Sequence, residues 1–215
     1  MELIRHGLDV VLHIDHHLTT LIAHCGGWTY AILCLIVFCE TGLVITPVLP
    51  GDSLLFAAGA VAAQGALSPT GLFWSLTLAA VLGDTVNYWI GYAVGPAIFA
   101  QERVRFLRKD HLDRTHQFYE RHGGKTIVLA RFMPIIRTFA PFVAGIGRMA
   151  YRRFLAYNIG GGIAWVALFV FGGYSFGNLP AVRHHFSLVI LAIIIVSILP
   201  GLIAYLRHRR SGKSV

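Results

Sequence analysis

Arg131-Phe132-Met133-Pro134-Ile135-Ile136-Arg137-Thr138-Phe139-Ala140-Pro141 places two guanidiniums six residues apart in an apolar stretch punctuated by two prolines. Proline removes a backbone donor and clashes with the preceding turn, so a straight helix through this stretch is not expected. The surrounding segment, residues 126–147, is about as long as one bilayer crossing of roughly 20 residues and too short for two. The fold reading turns on how such a segment enters and leaves an apolar phase.

The neighbouring sequence identifies that phase as a membrane. The chain is 56% hydrophobic and only 13% charged, about half the charge of a soluble domain. Residues 53–83, 85–101, 154–182 and 186–206 contain no Asp, Glu, Lys or Arg. Residues 1–24 alternate apolar positions with Arg5, Asp9, Asp15 and several histidines, and show no small-residue cleavage site. They are read as an interfacial amphipathic segment spanning 1–27. The net charge of +8 does not indicate a nucleic-acid partner. Its basic residues cluster in residues 101–125 and in the tail, 207–215, where short loops beside spanning helices mark the cytoplasmic side.

Counting crossings from those two loops sends residues 154–177 outward and 186–206 back. Residues 126–147 then start and end on the cytoplasmic side and form a re-entrant hairpin. Residues 71–97 run inward, so residues 28–63, interrupted at Pro47 and Pro50-Gly51, form a second hairpin dipping from outside. The expected fold is an all-α integral membrane protein. Its membrane domain, 28–206, repeats a re-entrant helical hairpin plus a transmembrane helix in inverted orientation and adds a C-terminal transmembrane helix. Gly91-Tyr92-x-x-Gly95 and Gly173-Tyr174-x-x-Gly177 close the two halves in the same way. Inverted repeats with broken helices at matching positions point to a transport site near the midplane.

Five ionisable residues interrupt the apolar regions: Glu40, Asp52, Asp84, Arg131 and Arg137. Each costs about 2.5–3.5 kcal/mol at a helix centre, so together they oppose insertion by on the order of 12–18 kcal/mol unless they pair or line a wet cavity. The planar donor forks of Arg131 and Arg137 suit a phosphate; the alternative is that each only neutralises a carboxylate. Glu40 and Asp52 flank the first break and can exchange protons as hydration changes. Gly51-Asp52-Ser53 also reads as a helix N-cap. Asp84 is expected to hydrogen-bond across helices beside Asn87 and Tyr88. His13, His16, His17 and His24 fit an interfacial helix better than a metal site, and Cys25, Cys34 and Cys39 have no zinc spacing. No metal or cofactor is expected. No nucleophile–base constellation stands out, which leaves little support for an enzyme.

These residues resemble the signature of the DedA family, also called the VTT or SNARE-associated Golgi-protein family. The resemblance is carried by Arg131-Phe132-x-Pro134, Arg137-Thr138, Pro141, Ala144-Gly145, Met149, Phe154, Asn158, Gly161 and Trp165. Glu40 with Pro47-x-x-Pro50-Gly51-Asp52, and Gly83-Asp84-x-x-Asn87-Tyr88-Trp89-x-Gly91-x-x-x-Gly95, carry it further. Tyr92 stands where many relatives have Arg. The resemblance implies a multi-pass protein of the bacterial inner membrane with two opposed re-entrant hairpins. It also implies lipid transport, above all return of undecaprenyl phosphate to the cytoplasmic leaflet; eukaryotic relatives are phospholipid scramblases. It ties the positions of Glu40, Asp52, Arg131 and Arg137 to function and proton dependence.

The expected substrate is a polyisoprenyl phosphate or a phospholipid. Arg131, Arg137 and Thr138 are expected to bind its phosphate, Glu40 and Asp52 to couple protons or pair with the arginines, and Pro50, Gly51, Asp84 and Asn158 to support the site. A general phospholipid flippase or scramblase and a proton-coupled exporter of a small solute remain open, as does a homo-oligomer.

Overall fold

The computed structural model describes residues 24–43, 51–100 and 125–179, which are all-helical, with no strand among them. Residues 1–23 of the interfacial segment, the prolines at 47 and 50, the basic segment 101–124, the loop at 180–185, the helix expected over 186–206 and the tail lie outside the described residues. Among the described residues six helices follow one another: α1 (Trp28–Gly42), α2 (Gly51–Ala62), α3 (Pro69–Ala100), α4 (Lys125–Ala130), α5 (Pro134–Ile146) and α6 (Tyr151–Gly177).

Local chemistry explains several of the ends. Helix α3 begins two residues before the expected start because Ser68 caps it: Gly71 N donates to Ser68 Oγ at 3.2 Å. Pro69 supplies a first position that needs no donor. Helix α2 opens at Gly51, which puts Asp52 inside its first turn, where a carboxylate favours the positive end of the helix dipole. The break at Pro134 is present as a turn between α4 and α5, with Met133 extended at the N-cap. The expected second break is absent: Pro141 lies inside α5, which continues to Ile146. Pro141 removes only the N–H that would have bonded the Arg137 carbonyl, and the remaining turns carry the helix on.

Helix α6, 27 residues long, is the described helix that is long and apolar enough to cross a membrane. Trp74, Leu78, Leu82, Val86 and Trp89 stand exposed along one face of α3, as do Leu168 and Phe171 on α6. Such an apolar stripe would be a liability in water and is a solvated face in lipid.

The described residues divide into two compact units, one built from 24–33, 51–76 and 166–179, the other from 34–43, 77–100 and 125–165. In the first, α2 lies against the end of α6 with no room for side chains between them. A Cβ on Gly173 would overlap the Phe56 carbonyl, one on Gly59 the Val170 carbonyl, and one on Gly177 would come within 2.7 Å of Ala60 Cα. In the second, α5 lies against α3 in the same way. A Cβ on Gly91 would overlap the Phe142 carbonyl, one on Gly145 the Tyr88 carbonyl, and one on Gly95 would meet Ile146 Cα at 3.4 Å. Phe56, Gly59 and Ala60 thus play the parts of Phe142, Gly145 and Ile146. The core of the second unit is completed by Tyr88, Ile127, Ala140, Met149 and Phe154.

Candidate functional site

The functional candidates of the second unit converge because two helices cross closely. A Cβ on Gly83 of α3 would overlap Thr41 Oγ1 and come within 2.8 Å of the Phe38 carbonyl of α1. That contact sets Glu40 at the end of α1 and Asp84 of α3 on either side of one crossing. The α4–α5 turn supplies the cations: Arg131 follows α4, and Arg137 lies in the second turn of α5, its N–H bonded to the Met133 carbonyl at 2.9 Å.

Two buried ion pairs result. Arg137 Nη2 donates to Glu40 Oε1, and Arg131 Nη2 donates to Asp84 Oδ2. Glu40 is 1% exposed, Asp84 4%, Arg131 5% and Arg137 9%, so all four charges are buried within the protein. Removing one member of such a pair strands the other. Arg131 Nη2 also donates to Asn158 Oδ1, and Asn158 Nδ2 in turn donates to the Val81 carbonyl at 3.1 Å. Both of these Arg131 bonds leave from one nitrogen, and its Nε–H has no hydrogen-bond partner among the described residues.

Asn87 holds the backbone around the pairs. Its amide donates to the Thr41 carbonyl at 3.0 Å and the Thr138 carbonyl at 2.8 Å. Each of those residues is the chain neighbour of an ion-pair member, so one buried amide ties the ends carrying Glu40 and Arg137 together. Thr41, Asp84, Arg131, Arg137, Thr138 and Trp165 line a small cavity of about 10 Å³, room for about one water molecule.

Glu40, Asp84, Arg131, Arg137, Thr138 and Asn158 therefore come together. Asp84, expected to hydrogen-bond across helices, accepts a hydrogen bond from Arg131 that is also an ion pair. Asp52 and Gly51 belong to the other unit, in the first turn of α2, and Pro50 lies outside the described residues. Thr41, Asn87 and Trp165 were not singled out for the site from sequence. For Trp165 a signal existed: Asn158, Gly161 and Gly162, and Trp165 follow at helical spacing on one face of α6.

The VTT domain matches residues 49–175. Protein DedA of Escherichia coli (strain K12) is 54% identical over 214 residues, covering 99% of this chain and 98% of that protein. The chain belongs to the DedA family of VTT-domain membrane proteins. An uncharacterized membrane protein of Mycobacterium tuberculosis (strain ATCC 25618 / H37Rv) is 44% identical over 187 residues, 84% of this chain and 80% of its own. Inner membrane protein YqjA of Escherichia coli (strain K12) is 34% identical over 154 residues, 72% of this chain and 70% of its own. No solved structure matches. The paired arginines of this DedA-family chain thus lie in a protein two of whose relatives are named as membrane proteins.

Proposed function

We propose that this protein is a proton-coupled flippase that returns undecaprenyl phosphate from the outer to the inner leaflet of the bacterial cytoplasmic membrane, and is not an enzyme. The observation that carries this reading is the pair of buried guanidiniums, each opposed by a carboxylate, around one small cavity in an apolar helical protein. Intramembrane ionisable groups are expensive and mark substrate or proton pathways. Arginine forks match phosphate oxygens, and the uncapped start of α5 adds a helix N-terminus favourable to anions. The cavity has room for about one water molecule as it stands, so a phosphate headgroup enters as the ion pairs open, while the isoprenoid tail stays in the bilayer. The choice of undecaprenyl phosphate comes from the family resemblance.

Charge balance supplies the mechanism. The two cations and two anions of the cluster sum to zero. A phosphate that enters between the arginines adds one to two negative charges, and the buried site remains near neutral when Glu40 or Asp84 takes up a proton as its arginine leaves it. Asp52 is a further proton-exchanging carboxyl in this reading. Moving phosphate inward against an inside-negative potential costs about 2.3 kcal/mol per charge per 100 mV, and accompanying protons cancel that cost.

The matching glycine contacts of the two units support an inverted repeat of re-entrant hairpins, with residues 28–63 and 126–147 as the hairpins and 71–97, 154–177 and 186–206 crossing the membrane. Residues 101–125 and the tail face the cytoplasm in this topology.

Reconstitution into liposomes tests the activity, using radiolabelled undecaprenyl phosphate, phosphatidylglycerol and phosphatidylcholine with and without a pH gradient. The proposal expects gradient-driven accumulation of undecaprenyl phosphate in one leaflet. Equal movement of all three lipids without a gradient would identify a scramblase instead, and uptake of a soluble solute alone would identify an exporter.

A further inference from the structure

The face of α6 that meets Arg131 is built for it at three successive turns. Asn158 accepts a hydrogen bond from Nη2. Gly161 and Gly162 leave the space its side chain crosses: a Cβ on Gly161 would stand 3.1 Å from Arg131 Cδ, and one on Gly162 would stand 3.4 Å from Nη1. Trp165 then presents its ring. The guanidinium carbon of Arg131 lies 6.0 Å from the ring centroid and that of Arg137 lies 5.1 Å from it. Trp165 is 1% exposed and shares the cavity wall with both arginines.

We propose that Trp165 is the positioning residue of the phosphate site: its π-face holds both guanidiniums as a pair while leaving their N–H edges to the lipid phosphate. The inference rests on the phosphate reading above. The chemistry that favours an aromatic ring here is geometric. All five donors of a guanidinium lie in its plane. A third carboxylate or a carbonyl would stabilise the charges by consuming those donors. A ring attracts a cation through its quadrupole and consumes none. The Nε–H of Arg131, without a partner among the described residues, is one donor held in reserve. When phosphate displaces Glu40 and Asp84 from the donor edges, the ring keeps the two cations beside each other, so the site does not have to be reassembled in each cycle.

A packing role and a cation-binding role separate under fluorination, which drains the ring's quadrupole with little change in shape. Mono-, di- and trifluorotryptophan are placed at position 165 of the full chain by codon suppression, and binding of farnesyl phosphate, a short polyprenyl monophosphate, is measured in nanodiscs beside detergent melting temperatures. The proposal expects a stepwise rise in Kd, on the order of tenfold across the series, with melting temperature unchanged. A flat Kd in protein that binds the phosphate tightly when unsubstituted would reduce Trp165 to a space-filler and overturn the inference. Absence of binding in the unsubstituted protein would overturn the phosphate reading itself. A second variant, Trp165→Leu, is expected to weaken binding at least as much as trifluorotryptophan; binding equal to that of the unsubstituted protein would contradict the proposal.

Discussion

The two units repeat one glycine-mediated contact and bury opposite chemistry beside it. Where α2 meets the end of α6, the buried side chains include Leu54, Leu55, Phe56, Val61, Val166 and Val170. Where α5 meets α3, Glu40, Asp84, Asn87, Arg131 and Arg137 are buried instead. Seven residues ahead of Gly91 stands Asp84, and seven ahead of Gly173 stands Val166; four ahead stand Asn87 and Phe169. The helix contact therefore needs no charge. The polar cluster is an addition that the scaffold tolerates, which is how function is usually carried on a fold.

The largest expected effect isolates that addition. Asp84→Leu gives α3 an apolar residue where the other unit has Val166, and leaves Arg131 buried beside Asn158 without its carboxylate. A loss of about 3–5 kcal/mol is expected, read as a fall in detergent melting temperature. Adding Arg131→Met should restore most of the stability and none of the transport. A single variant as stable as the parent would mean that the pair carries no buried charge.

Gly145→Val and Gly59→Val probe what the units share. Each side chain would meet a backbone carbonyl, Tyr88 in one unit and Val170 in the other, and overpacking of this kind costs about 1–3 kcal/mol. Both variants should melt lower by similar amounts. Tolerance of one and not the other would show that the two contacts are not equivalent.

A smaller, more local loss is expected at Asn87. Asn87→Leu removes the amide that serves the Thr41 and Thr138 carbonyls, at about 1–2 kcal/mol. Because those carbonyls neighbour Glu40 and Arg137, transport should fall more than stability does; parallel losses would make Asn87 a fold residue only.

The smallest effect falls at the end of α5. Arg148 adopts φ 50 in the position where a Schellman motif prefers glycine, with Met149 N bonded to the Ala144 carbonyl at 3.0 Å. Its guanidinium lies 5.5 Å from the Tyr92 ring centroid. Arg148→Gly relieves the left-handed backbone and loses the ring contact, each worth about 1 kcal/mol, so the melting temperature should hardly move.

Much of the site was legible where single residues contradict their surroundings. Glu40, Arg131 and Arg137 interrupt apolar runs, and their cost demanded partners. Which carboxylate pairs with which arginine was not legible, because that depends on the crossing of Thr41 and Gly83, a contact without periodicity in the chain. Asp84 looked like one polar group among Asn87 and Tyr88 for that reason. Trp165 is apolar in an apolar helix, and only its helical spacing from Asn158, Gly161 and Gly162 sets it apart. Pro134 and Pro141 look alike in sequence. Only the first follows a turn, and the second removes a single donor from a helix held by its remaining bonds.

Arg137→Lys separates a phosphate clamp from a structural ion pair. Lysine keeps the charge that Glu40 needs and loses the planar two-donor fork. Transbilayer movement of undecaprenyl phosphate is measured in proteoliposomes with a pH gradient, beside the melting temperature of the same preparation. The clamp predicts a transport rate reduced about tenfold or more in protein that melts within a few degrees of the parent. Near-parental transport by Arg137→Lys would contradict it and leave Arg137 as a counter-ion to Glu40.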